Sequence, residues 1–151
     1  MPTDQSGLKG ARASFRFQAD GAVVRHVLRR ALERFAPLIS ALDARTLELA
    51  LAEVLNNIVE HAYGDQGKGR ISLTLWHQDL TLSCTVIDEG RAMPGLTLPA
   101  GGMPEIAARI EDLAEGGWGW AMILALTRDI HYERQGSRNR LSFNVPLTAA
   151  F

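Results

Sequence analysis

The chain has 151 residues, 46% hydrophobic and 22% charged, which is the size and balance of one globular domain. Its formal net charge of −1, from 16 basic and 17 acidic residues, excludes the basic excess of a general nucleic-acid binder. One cysteine excludes an intrachain disulfide, and no apolar run approaches a membrane span or a secretory signal core. The expectation is a cytoplasmic protein with no direct contact to nucleic acid or membrane.

Residues 1–12 are small, polar and glycine-containing, and are expected to form a flexible leader to a single domain over 13–151. The alternation in ASFRFQA predicts a short first strand. Asp20 is placed to cap a helix from about Gly21 to Phe35, with Val23, Val24, Val27, Leu28, Ala31 and Leu32 inward. Pro37 punctuates it, and Asp43 is expected to cap a long second helix ending near YGDQGKG.

In RISLTLWH and LTLSCTVID, apolar residues alternate with serine and threonine, and the gap QD between them is hairpin-short. Such alternation describes strands covered on one face, hence a largely antiparallel sheet. Cys84 takes an apolar position there, where packing is the commoner role. The segment 91–115 carries Pro94, Pro99 and Pro104 among glycines and reads as a lid. GGWG opens a helix from about Trp120 to Arg128, and DIHYERQ with NRLSFNVPL makes a final hairpin around Gly136 and Ser137. Arg134, Arg138 and Arg140 read as a solvated part of that hairpin. The expected fold class is α+β: a two-layer α/β sandwich, its sheet mixed but mostly antiparallel, with helices on one face.

Three constellations carry chemistry. In AEVLNNIVEHAY, Glu53, Asn57 and His61 fall at steps of four beside the apolar stripe, stacking a carboxylate, an amide and an imidazole along one side of a helix. An amide oxygen suits magnesium, which keeps water and phosphate ligands, and a nearby carboxylate can take a proton from a hydroxyl. In VIDEG, Asp88 stands where an apolar strand ends and can accept a hydrogen bond from an exocyclic amine, while Gly90 lets a flat ring approach. In EGGWGWAMILAL, Gly116, Gly117 and Gly119 stand directly before an apolar helix, whose N-terminal N–H groups suit phosphate oxygens. Each alone has an ordinary explanation: a polar flank of a half-exposed helix, a strand-ending turn, a loose glycine cluster. In this order, with a lid between, they describe one part for each portion of a magnesium nucleotide.

These motifs resemble those of the GHKL (Bergerat-fold) ATPases, and among them the small anti-sigma-factor serine/threonine kinases of partner-switching modules. E-V-L-N-N-I-V-E-H-A-Y is similar to the N box, D-E-G to the G1 box and G-G-W-G to the G2 box. The resemblance implies Glu53 as general base, Asn57 as magnesium ligand, His61 and Ala62 at the pocket wall, Asp88 and Gly90 at adenine, and Gly116, Gly117 and Gly119 at the phosphates. There are two departures from the usual pattern: Ala92 stands for the second G1 glycine, and Trp118 and Trp120 flank Gly119. The activity implied is ATP- and Mg2+-dependent phosphorylation of an anti-sigma-factor antagonist with a STAS domain. A sigma factor is then the exchange partner, and homodimerisation is implied as well. The alternative is an ATP-binding protein that sequesters a regulator without phosphoryl transfer, and Glu53 discriminates between the two.

Overall fold

The computed structural model describes residues 10–64, 69–93 and 117–148. In chain order it runs β1 (Arg12–Gln18), α1 (Gly21–Phe35), a 3-10 turn (Ala36–Leu38), α2 (Ala41–Asn57), a π-helical turn (Ile58–Tyr63), β2 (Arg70–Gln78), β3 (Thr81–Asp88), α3 (Gly117–Leu126), β4 (Arg128–Gln135) and β5 (Arg138–Pro146). The five strands pair in the order β1-β2-β3-β5-β4. Every pairing is antiparallel, so the mixed component expected of the sheet is not found among the described residues. Most of the expected lid, from residue 94 on, lies outside the described residues, as do 1–9 of the leader and Gly116.

The period-two pattern explains how the sheet acquires two unlike faces. Register lines up Leu73, Val86 and Leu141 across β2, β3 and β5, and Leu75, Cys84 and Phe143 in the next row, so apolar residues form continuous rows on one face. These rows join Val24, Val27, Ala31 and Phe35 of α1, Leu47, Leu51, Val54 and Leu55 of α2, and Ile123 of α3 in one core. The helices therefore cover one face, and Ser72, Thr74, Ser83, Thr85 and Ser142 stand half-buried on the other. Leu47, Leu51 and Leu55 are each 0% exposed, and each contributes about 1.5–3 kcal/mol of burial. That is enough to hold α2 on the sheet while one side of it stays polar. Burial also raises the pKa of the Cys84 thiol, which fits packing rather than reactivity. Among the described residues, no helix is long and apolar enough to cross a membrane.

Several local expectations are corrected. Asp20 does cap α1, its Oδ1 accepting from Ala22 N–H at 2.8 Å and Val23 N–H at 3.2 Å. Asp43 does not cap α2; Ser40 does, accepting from the Asp43 N–H at 3.0 Å. Asp43 is instead buried in the first turn, where its Oδ2 accepts from Thr148 N–H and Oγ1, both at 2.8 Å. A serine three residues ahead is the better placed of two good caps, and the carboxylate is freed to anchor the chain beyond β5. The last helix starts at Gly117, not Trp120, and ends at Leu126, so Gly117 and Gly119 belong to its first turn and Arg128 opens β4.

Candidate functional site

Glu53 and Asn57 leave α2 at its C-terminal end, half-buried beside the stripe that holds the helix down. Neither side chain makes a hydrogen bond or ion pair with another described residue. Gly119 is packed directly on this carboxylate: a Cβ built there would lie 2.6 Å from Glu53 Oε2. The glycine motif of α3 and the polar side of α2 are therefore in contact, although 66 positions of sequence separate them.

The second glycine motif closes on the π-helical turn that continues this helix, nine residues further along. A Cβ at Gly90 would lie 2.5 Å from the Ala62 carbonyl oxygen and 2.7 Å from its Cβ. The Arg91 N–H donates to Ala62 O at 2.7 Å, fastening the turn after β3 to the π-helical turn. Tyr63 adds a clamp: its hydroxyl donates to Arg70 O at 2.6 Å and accepts from the Glu89 N–H at 2.8 Å. Burial is the main cause that raises the pKa of this hydroxyl, which keeps it a neutral donor.

Asp88, only 4% exposed, is the last residue of β3 and sits beside Asn139 on β5. Its Oδ1 accepts from the Gly90 N–H at 2.9 Å and from Asn139 Nδ2 at 2.8 Å. No described donor reaches Oδ2, and no buried side-chain oxygen among the described residues lacks a partner, so Oδ2 keeps contact with solvent. Burial raises the Asp88 pKa; Asn139, the Gly90 N–H and the Arg134 charge pull it down. The outcome is a carboxyl with one oxygen fixed and one left to accept from a ligand donor.

Asn139 is the centre of this arrangement, and it was not singled out in the sequence. Its Nδ2 also donates to Arg91 O at 2.9 Å, and its Oδ1 accepts from the Tyr132 hydroxyl at 2.5 Å and Arg134 Nη1 at 3.0 Å. Arg134 also donates to Gly90 O at 2.7 Å, and Tyr132 accepts from the Met93 N–H at 3.0 Å. Arg134 is thus structural at this turn rather than a solvated part of the hairpin. A signal did exist: Asn139 occupies an inward position of β5, the series that continues with Leu141, Phe143 and Val145.

His61 does not join Glu53 and Asn57. Beyond Asn57 the backbone is π-helical, bonding i to i+5, so four residues no longer complete a turn. The imidazole is 63% exposed and lies 3.9 Å from Glu60. Ala62, by contrast, is the surface on which Gly90 rests. Among the described residues no three His, Cys, Asp or Glu side chains gather to hold a metal ion. The Asn57 amide, with no partner of its own among them, fits an ion whose other ligands are phosphates and water, as magnesium takes.

A family model described as histidine kinase-like ATPase domain matches residues 17–145. Over 98 residues the chain is 32% identical to serine/threonine-protein kinase BtrW of Bordetella bronchiseptica, a match covering 64% of this chain and 66% of that protein. The chain thus spans just under two thirds of that relative's length. The solved RsbU and RsbW domains of Rv1364c from Mycobacterium tuberculosis superpose with a TM-score of 0.59 at 18% identity, covering 93% of this chain and 34% of that one. That likeness is one of fold, and the chain spans about a third of the larger structure. Glu53, Asn57, Asp88, Gly90, Gly119 and Asn139 all fall inside the matched span, and the chain belongs to the histidine kinase-like ATPase domain family.

Proposed function

We propose that this domain binds ATP with magnesium and transfers the γ-phosphoryl group to a serine of an anti-sigma-factor antagonist carrying a STAS domain. The observation that carries the reading is the contact of Gly119 with a Glu53 carboxylate that no other described group engages. In this reading Asp88 Oδ2 accepts from the adenine amine. The backbone N–H groups of the first turn of α3 meet phosphate oxygens. Asn57 would hold a magnesium ion through its amide oxygen, and the ion would offset phosphate charge during transfer. Glu53 takes the proton of the acceptor hydroxyl as its oxygen bonds to the γ-phosphorus; the bond from that phosphorus to the bridging oxygen breaks and ADP leaves. The added charge then changes which partner fits, the antagonist or a sigma factor. The relative named as a serine/threonine-protein kinase supports this reading, and a homodimer working in the cytoplasm belongs to it.

The test is incubation with γ-labelled ATP and the STAS-domain protein encoded nearest to it, with mapping of the modified residue. Wild type is expected to label one serine. Glu53→Gln is expected to keep ATP affinity within about threefold and to lose at least a hundredfold in transfer, within the range for a general base. Equal transfer by the variant would remove Glu53 as base. ATP binding with no transfer by wild type would favour the sequestering protein instead.

A further inference from the structure

Strand β1 forms one edge of the sheet, and its outer side pairs with nothing in the described residues. The inner side is fixed by the bonds that bracket the strand: His77 N–H to Ala11 O and Ala19 N–H to Gly69 O, both at 2.8 Å. Bonding alternates along an antiparallel pair, so the odd-numbered residues bond toward β2. The N–H and C=O groups of Arg12, Ser14 and Arg16 therefore point outward. Along this edge runs an open groove of about 440 Å³, lined by Ala13, Ser14 and Phe15 of β1 and by Arg30, Glu33 and Arg34 of α1.

The charge around the groove is predominantly basic, four arginines against the single carboxylate of Glu33, although the chain as a whole is near neutral. Arg12 and Arg16 are exposed on the outer sheet face, and Arg30 and Arg34 are exposed on the helix wall. The one ion pair among the described residues joins Glu60 and His61, so none of these four guanidinium groups is matched by a described carboxylate. Arg12 lies 4.8 Å over the Trp76 ring and Arg34 5.5 Å over the Phe35 ring, contacts that orient the cations without neutralising them.

We propose that the free edge of β1 docks an extended acidic segment of a partner protein, which adds to the sheet as a further strand and sets its carboxylates against Arg12, Arg16, Arg30 and Arg34. Backbone bonds to Arg12, Ser14 and Arg16 supply the pairing, and alternate side chains supply the choice of partner. One set enters the groove over Phe15 toward Arg30 and Arg34; the other meets Arg12 and Arg16 on the outer face. Charged edges commonly prevent strand edges from pairing with copies of themselves. That holds here, because two β1 strands paired antiparallel about Ser14 would set Arg12 opposite Arg16, and like charges so placed are destabilising. The arrangement that repels a second copy attracts an acidic strand. A nucleic acid would satisfy the guanidinium groups but leave the outward carbonyls unpaired.

The probe is fluorescein-labelled acetyl-Val-Glu-Glu-Glu-Glu-Val-amide, whose consecutive glutamates face both sides of an added strand, titrated against the full chain by anisotropy. Saturable binding is expected, weakened at least tenfold by the double variant Arg12→Glu, Arg16→Glu. N-methylation of alternate peptide amides keeps the charge and removes the pairing, and is expected to abolish binding. Ser14→Pro deletes the outward N–H together with the exposed hydroxyl contact to Thr74 Oγ1 at 3.3 Å, and is expected to weaken binding while the chain still unfolds cooperatively; Ser14→Ala, which loses the hydroxyl alone, is expected to bind as the parent does. The proposal is overturned if no saturation appears by about 1 mM peptide. It is equally overturned if the N-methylated peptide binds as well, if oligothymidylate of equal charge binds tighter, or if a Ser14→Pro-sensitive homodimer forms in place of the complex. ATP affinity read on the same variants should not move, so a failure here is distinct from a failure of the nucleotide site.

Discussion

Asp88 holds a carboxylate at 4% exposure with both of its internal hydrogen bonds on Oδ1. Burial is the largest influence on it and lifts its pKa above the ordinary 3.8. The unfolded chain therefore releases this proton at lower pH than the folded chain. Between the two values the folded state binds more protons, so the contribution of Asp88 to stability is fullest below about 3.8 and is lost as pH rises through the folded value. A group kept at such a cost is a common mark of a working site. Asp88→Asn can still accept from Gly90 and Asn139, so it is expected to melt at or above the parent near neutral pH, with the gap closing as pH falls toward about 4. Circular-dichroism melts over that range decide it; a parent that gains on the variant as pH rises would contradict the assignment. Under the proposed function, the same substitution weakens ATP binding at least tenfold, because an amide N–H cannot accept from the adenine amine.

Elements meet at this site through glycine, and the two close approaches differ in what stands opposite. At Gly90 an added methyl would lie 2.5 Å from the Ala62 oxygen and 2.6 Å from its carbonyl carbon. Those are backbone atoms of the π-helical turn, which is itself tied down by Arg91 and Tyr63. Gly90→Ala should therefore destabilise by about 1–3 kcal/mol, the usual range for overpacking. At Gly119 the atom opposite is Glu53 Oε2, the far end of a rotatable side chain. Alanine also suits a helix better than glycine, so Gly119→Ala should change stability by less than about 1 kcal/mol. It should nevertheless displace the carboxylate and reduce phosphoryl transfer more than tenfold. Urea unfolding beside the transfer assay separates the pair, and a reversal of the two stability effects would show that the close approaches are misassigned.

At the scale of the molecule, the fold brings motifs from α2, the end of β3 and the start of α3 to one end of one helix. A ligand that spans them stabilises the whole domain by mass action. ATP with magnesium at about one hundred times its dissociation constant should add about 2.7 kcal/mol, visible as a raised Tm. No shift at millimolar nucleotide would count against the site. The element order and the two sheet faces were legible in the amino-acid sequence, because α1 and β2 through β5 each carry their own periodicity and turn residues within a few positions. Glu53, Asn57, Asp88, Gly90 and Gly119 were legible as motifs. Local spacing could not supply the Ser40 cap, chosen between two competent side chains, or the π-helical turn that swings His61 out to water. Nor could it supply the Asn139 network, whose bond to Asp88 crosses 51 positions. The sequence by itself determined the elements and the chemical groups on offer, since both depend on neighbouring residues. Only the tertiary structure decided which groups meet, because strand register and helix packing fix distances that no spacing along the chain contains.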